Sequence, residues 1–325
     1  MKKLFFLPQY AKGQASNPYC ENFIDSIKDS FDVLPKPQTR LPRGLELLLG
    51  SFNADIYILN WVESISFLSC GSLQAFMSLL AIRIIKFRKK RIVWIFHNIH
   101  PHEGENFWSK RTKKVLFRYS SMIITHSKEA ANYAQKYSKS AVYYRPHPIQ
   151  QKVFNVWPDT VRDCDFYIWG DIYPYKGIVE FVNEVVKKAT PHQILIVGKA
   201  TTDGIKQQLD RYMSSNIIFE NRRPDYDEVA AQCQKAKYVL FPYIGNSISS
   251  SGILMDTLLM GGTPVGPNKG AFADLAEYGC CITYDSIDEV FNLPSKAISI
   301  DPNAIKSFVK NNSWEAFGKW FSGLI

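Results

Sequence analysis

The sequence predicts an α/β protein built from two successive doubly wound domains. Short, nearly continuous apolar runs rich in β-branched and aromatic residues suit strands of a parallel sheet covered on both faces. Helical stretches lie between those runs, and the whole scheme occurs twice over halves of similar length. The 325 residues leave room for two domains of roughly 150 residues each. A chain that is 46% hydrophobic and 14% aromatic can bury a core and is far from the composition of disordered segments.

In the first half the strand candidates are KKLFFLP, DVLP, ADIYILNW, RIVWIFHN, SMIITHS and AVYYRPHP. A polar loop containing Gly13 follows the first of them, and a helix is expected from about Glu21 to Ser30. In the second half the strands are DFYIWGD, QILIVGKA, NIIFENR, AKYVLFPY, TPVGP and CCITYD, with helices at about 177–188, 203–213, 225–235 and 252–260. Prolines cluster and periodicity lapses near 146–160, the expected linker. The reading divides the chain into 1–152, 153–306 and an aromatic amphipathic tail helix over 307–325 expected to pack back on the first domain.

Several classes are excluded. MKKLFFLPQYAKG carries four apolar residues before Pro8, too few for a secretory leader. LQAFMSLLAIRII (73–85) is the longest apolar candidate and is too short and too interrupted to span a bilayer. The six cysteines show no CxxC spacing, so neither a disulfide framework nor a zinc site is indicated. These features predict a cytosolic chain. Of the net charge of +9, residues 1–155 carry +13 and residues 156–325 carry −4, so the first half is expected to face something acidic.

Ligands of doubly wound sheets bind beyond the carboxyl ends of the strands, and two such sheets suggest a site in a cleft between domains. GDIYPYKG (170–177) follows a strand and opens a helix, placing Lys176 where ammonium and backbone N–H groups can meet a diphosphate. In GNSISSSGILMDTLLMGGTPVGP (245–267), Ser250, Ser251 and Gly252 precede an apolar helix whose first N–H groups could hold a phosphate. The DCD (163–165) and DYD (225–227) patterns read as a strand entry and a helix cap, and no metal is expected. Three of the six histidines lie in HNIHPH, 97–102. They lack the helical spacing of a metal motif; His97, just past a strand, is a candidate to point into the cleft. The helix expected at 107–119 carries Lys110, Arg111, Lys113 and Lys114, with Trp108, Thr112, Val115 and Tyr119 on one face. A basic helix with aromatics suits an anionic membrane surface. No nucleic-acid motif is present.

G…YKG, LIVGKA and VLFPY…SSSG…GGTPVGP, in that order, resemble the donor domain of family 4 glycosyltransferases of the GT-B fold. ADIYILNWVES and RIVWIFHNIHPHE are similar to the first-domain strands of bacterial surface-polysaccharide members. The resemblance covers most of the chain. It implies a nucleotide-sugar donor held by the second domain and a polyprenyl-linked sugar acceptor held by the first, with retention at the anomeric carbon. It assigns donor contacts to Gly13, Lys176, Ser250, Ser251 and Gly252, and a catalytic corner to His97, Asn98 and Glu103; Glu103 or Glu105 would serve as base in an inverting variant. There are departures. Asp171 and Ile172 stand where the family has an arginine, and Arg222 or Arg223 is the expected replacement. The family's two glutamates fall on Ser249 and Thr257, with Asp256 one position away as a ribose contact. The resulting expectation is a metal-independent, cofactor-free glycosyltransferase, peripheral on the inner face of the cell membrane. The alternatives are a nucleotide-sugar epimerase and a non-catalytic sugar-nucleotide- or acceptor-binding subunit.

Overall fold

A computed structural model describes residues 1–8, 18–34, 41–100, 104–150, 163–245, 251–296 and 298–325. The chain divides into two compact units, Met1–Pro148 with Asn312–Ile325, and Ile149–Asn311. Each holds one six-stranded parallel sheet with helices packed on it.

In the first unit the strands are β1 (Lys2–Leu7), β2 (Phe31–Leu34), β3 (Ile56–Asn60), β4 (Arg91–Phe96), β5 (Met122–Thr125) and β6 (Ala141–Tyr144), in the order β2-β1-β3-β4-β5-β6. Between these strands lie α1 (Pro18–Ile27), α2 (Arg43–Gly50), α3 (Gly71–Phe87), α4 (Phe107–Tyr119) and α5 (Lys128–Tyr137). Successive side chains of a strand point to opposite faces, and both faces here are buried. Phe5, Tyr57, Trp94 and Phe96 enter one core with Leu47, Ile82 and Leu116. Leu4, Phe6, Ile58, Val93, Ile95 and Ile124 enter the other with Phe23, Phe317 and Phe321.

In the second unit the strands are β7 (Cys164–Trp169), β8 (Ile194–Val197), β9 (Ile217–Glu220), β10 (Ala236–Leu240), β11 (Pro264–Pro267) and β12 (Ile282–Tyr284), in the order β12-β11-β10-β7-β8-β9. Around them lie α6 (Ile178–Lys188), α7 (Asp203–Tyr212), α8 (Tyr226–Lys235), α9 (Gly252–Leu259), α10 (Gly270–Glu277), the short α11 (Ile287–Val290) and α12 (Leu293–Lys296), and α13 (Pro302–Asn311). The strand order reverses between β7 and β10, which makes the ends of these two strands the crevice of this sheet.

The tail differs from the sequence reading. Residues 307–311 finish α13 and belong to the second unit. Ser313 then caps a new helix, α14 (Trp314–Leu324), by accepting from Ala316 N at 3.1 Å. α14 seats on α1 of the first unit, with Phe317 and Phe321 edge-on to Phe23 at 5.0 and 5.2 Å. The closest approach is at Gly318, where a side-chain carbon would collide with the backbone carbonyl of Ser26. Gly318→Ala should therefore destabilise the protein by about 2 kcal/mol, despite alanine's better helix propensity, because the helix must be pushed off its seat. Thermal or urea unfolding of the variant checks this.

Candidate functional site

Strand parity selects the side chains at the carboxyl end of the first sheet. Ile56 and Ile58 on β3, Val93 and Ile95 on β4, and Met122 and Ile124 on β5 all face the α1/α14 core. Two residues further on, the same face receives Asn60, His97 and His126, all buried. Register places them side by side, since Asn60 pairs with Ile95 and Phe96 with Thr125. His147, from the segment after β6, joins them 5.5 Å from His126. Tyr19 of α1 and Trp314 of α14 close the cluster, with Tyr19 4.8 Å from the His97 ring, 5.4 Å from His126 and 5.3 Å from His147.

The hydrogen bonds determine which ring nitrogens carry protons. His126 Nδ1 lies 2.8 Å from the Arg145 carbonyl oxygen, which can only accept, so Nδ1 is protonated and Nε2 accepts from the Tyr19 hydroxyl at 2.7 Å. Asn60 donates its amide N–H to the Leu7 carbonyl at 3.0 Å. Its Oδ1 therefore faces His97 Nε2, at 3.2 Å, and His97 donates there. Neutral His97 is left with its lone pair on Nδ1. Burial first, and then His126 and His147, hold His97 well below the ordinary imidazole range. Burial, with a lesser contribution from His147, brings His126 to about 3. Burial alone brings His147 to about 4. All three rings are thus neutral near pH 7. Trp61, in the left-handed region at φ 51, stacks its indole on His97 at 4.4 Å and 14°. That conformation costs a non-glycine residue roughly 1 kcal/mol, and the stacking holds it in place.

Asn98 follows His97 and is half-buried. Gly13, Glu103 and Ser250 lie outside the described residues. Lys113 is a correction to the basic-face reading. It is buried, and its ammonium donates to the Ile99 carbonyl at 2.7 Å and to Glu105 Oε1 at 2.5 Å. It thereby pins the segment after β4 instead of facing solvent. The Lys113 hydrogen bond also holds Glu105 below the usual carboxylate range. The buried stripe of α4 is Ser109, Thr112, Lys113, Leu116 and Phe117, while Trp108, Val115 and Tyr119 are only half-buried. Lys110, Arg111 and Lys114 are exposed. Lys110 and Lys114 border a groove of about 500 Å³ walled by Phe117, Tyr133 and Tyr137.

In the second unit the crevice between β7 and β10 gathers the anion-binding candidates. After β7 the chain turns at Gly170, φ 91, and a single 3₁₀ turn, Pro174–Lys176, ends at Gly177. Gly177 has φ 65, and a side chain there would strike the Pro242 carbonyl, so the loop is drawn tightly onto the end of β10. That closeness buries Lys176, whose ammonium sits 6.0 Å from the Tyr243 ring centroid. Among the described residues it makes no hydrogen bond or ion pair. Burial lowers its pKa to about 8, against the opposing charge of Asp171. Tyr243 in turn contacts the Ser251 side chain. Ser251 caps α9 by accepting from Leu254 N at 3.4 Å, and the space beside Gly252 is open. A buried, unpaired cation next to the open start of a helix is the arrangement an anion completes.

The remaining donor candidates separate. Arg223 forks onto Asp171 with both bonds at 2.9 Å, which draws a guanidinium from the end of β9 to the mouth of the Lys176 loop. Arg222 is bound instead to Glu220 at 2.8 Å and to both oxygens of Glu228. Its guanidinium is thus engaged by carboxylates of β9 and α8 and not by the Lys176 loop. Thr257 is also engaged. It is fully buried, donating to the Ile253 carbonyl at 2.8 Å and accepting from Trp169 Nε1 at 3.1 Å. Asp256, next to it, accepts from the Tyr226 hydroxyl at 3.1 Å and is half-buried, so it keeps access to a ligand. Asp165 of the DCD pattern accepts from Lys237 and Gln193, and Asp225 of DYD caps α8. No group of three metal-ligating side chains occurs among the described residues.

Of this cluster the sequence singles out His97 alone; Asn60, His126, His147, Tyr19 and Trp314 emerge only in the structure. His147 carried the same signal as His97, a histidine just past a strand. Tyr19 and Trp314 carried none.

Solved structures share this fold along the whole chain. The lipopolysaccharide outer core galactosyltransferase WaaB, in its apo form, is similar over 99% of this chain and 98% of its own, with a TM-score of 0.67 and 12% identity. Anabaena Alr3699/HepE in complex with UDP is similar over 100% and 95%, with 0.63 and 14%. AviGT4, a glycosyltransferase involved in avilamycin A biosynthesis, is similar over 100% and 97%, with 0.62 and 12%. The fold is thus the GT-B fold of glycosyltransferases, with its two Rossmann-like sheets. No protein-family model and no curated protein sequence matches the chain.

Replacing Lys176 tests the anion site in two directions. Lys176→Met should weaken binding of a nucleoside diphosphate about 10- to 100-fold by calorimetry. The same change should raise the melting temperature of the unliganded protein, because it removes a cation whose burial is costly. In the wild type the lysine's folded pKa, about 8, lies below its unfolded value near 10.5. Its penalty is therefore full below pH 8 and fades as pH rises toward 10.5. Diphosphate affinity should hold below pH 8 and fall above it.

Proposed function

We propose that the protein is a glycosyltransferase moving a sugar from a nucleotide-diphosphate-sugar to a lipid-linked oligosaccharide acceptor in surface polysaccharide biosynthesis. The observation that carries this reading is Lys176, buried and without a hydrogen-bond or ion-pair partner among the described residues, at the crevice of the second sheet, beside Ser251 and the start of α9. The shared fold, and the UDP bound by HepE, make a UDP-sugar the donor to try first.

On this reading Lys176, the first N–H groups of α9 and Arg223 stabilise the charge that develops on the leaving diphosphate, so no metal is required. Preorganised charge of this kind is usually the largest catalytic contribution. Asp256 with Tyr226 holds the ribose. His97 acts as a neutral acceptor: with Nε2–H held by Asn60, its Nδ1 takes a hydrogen bond from a sugar hydroxyl. Lys110, Arg111 and Lys114 attract the phosphates of the acceptor. A transfer with retention fits the family resemblance.

Purified protein should release UDP from one of a panel of UDP-sugars only when a polyprenyl-diphosphate-linked acceptor is present, with the new linkage and its anomer read by mass spectrometry and NMR. Donor isomerisation without acceptor would instead make it an epimerase, and donor binding with no turnover a non-catalytic subunit. His97→Ala should lower kcat about 10²- to 10³-fold with little change in donor affinity. Asn60→Ala should lower it less, since the ring remains but loses the partner that selects its tautomer.

A further inference from the structure

Helix α3 is apolar on both sides. One side packs inward through Ala75, Leu79, Ala81, Ile82 and Ile85. The opposite side presents Leu73, Phe76, Leu80 and Phe87, at 55%, 55%, 40% and 89% exposure. Their spacing of three, four and seven residues keeps them in one stripe along the helix axis, about 21 Å long at 1.5 Å per residue. Phe52, 57% exposed, extends the stripe at its C-terminal end, where the Arg88 guanidinium lies 5.6 Å from its ring. Single exposed apolar side chains are ordinary, but a continuous row of large ones is not. A helix apolar all round is buried or meets a membrane.

The charge beside the stripe has one sign. Arg83, Lys86, Arg88, Lys89, Lys90 and Arg91 cluster at the end of α3, and no carboxylate side chain occurs between Glu63 and Glu103. Lys90 pairs with Asp55 at 2.6 Å, and Arg88 and Arg91 hold the Ser51 and Ile325 carbonyls. Arg83, Lys86 and Lys89 are exposed, and Lys86 and Lys89 make no ion pair among the described residues. With seventeen residues, α3 is shorter than the roughly 30 Å a span requires, and among the described residues no helix is long and apolar enough to cross a membrane. Its inner side is fixed in the core, so it can lie along a bilayer but not through one.

We infer that this face docks the protein on an anionic leaflet, with Leu73, Phe76, Leu80, Phe87 and Phe52 entering the acyl boundary and Arg83, Lys86 and Lys89 meeting headgroup phosphates. A second copy of the chain is the poorer occupant, because two-fold pairing on α3 would crowd like charges together with no carboxylate to offset them. α4, where the sequence placed the membrane contact, supplies cations but among its large apolar residues exposes only Phe107. It can attract a surface but has little to insert. The inference rests on this surface alone and does not depend on the sugar-transfer reading.

The test is co-sedimentation of the full chain with vesicles of phosphatidylglycerol and phosphatidylcholine, and with phosphatidylcholine alone. The wild type should bind the anionic vesicles and keep part of that binding in high salt, the part due to insertion. Leu73→Ser, Phe76→Ser, Leu80→Ser and Phe87→Ser together should lower partitioning at least about tenfold with unchanged circular dichroism. Should that variant fold poorly, Phe87→Glu alone, at the most exposed position, should still lower it severalfold. Reversal of Lys110, Arg111 and Lys114 to Glu should have the smaller effect. The proposal is overturned if the wild type does not bind, if the α3 variants bind within about twofold of it, or if α4 reversal abolishes binding while they do not. It is also overturned if the wild type is a dimer that the same α3 substitutions make monomeric. UDP affinity should be the same in all these variants, so either reading can fail without the other.

Discussion

Two-sided burial of parallel strands is the constraint on which the first unit depends. A strand covered on both faces has no freedom to slip by one residue, since that would exchange its two cores. β1, β3, β4 and β5 are held in this way between the Trp94 core and the Phe23 core. The face taken by each residue just beyond a strand is then already decided. Asn60, His97 and His126 converge because each stands two residues past an aliphatic residue of the Phe23 core. The low polarity of that core also keeps the three histidine rings uncharged and makes their hydrogen bonds to Asn60 and to the Tyr19 hydroxyl and the Arg145 carbonyl decisive for which nitrogen is free.

The second unit uses the same architecture with opposite electrostatics. Its crevice buries a cation that has no hydrogen-bond or ion-pair partner among the described residues, at a cost in stability that a bound anion would offset. Functional sites commonly carry such local penalties, and Gly177 shows how this one is enforced, by a turn only glycine can make against the Pro242 carbonyl. Arg223, tied to Asp171, brings a guanidinium near the position where the resembled family has its arginine, from a different strand. One carboxylate thus redirects a side chain that is 52 residues away in sequence.

Exposure, more than charge, separates the surfaces. The basic run at 107–119 was visible in the sequence, and so was the apolar run at 73–85. Which lysine was buried, and which side of the apolar helix was left uncovered, depended on what packed against each. Lys113 lies under the Ile99 carbonyl. Among the described residues the row from Leu73 to Phe87 is left exposed.

The sequence by itself determined the fold class and most element boundaries, because apolar period and glycine, proline and serine punctuation are local properties of the backbone. It also singled out His97, Lys176 and Ser251, since position after a strand or before a helix is a local property too. The tertiary structure decided the rest: that Arg223 and not Arg222 reaches the Lys176 loop, that Thr257 is locked to Trp169, and that Tyr19 and Trp314, 295 residues apart in the chain, meet at His126 and His147. Those outcomes depend on register, packing and competition among distant polar groups, which act through space and leave no trace in the spacing of neighbours along the chain.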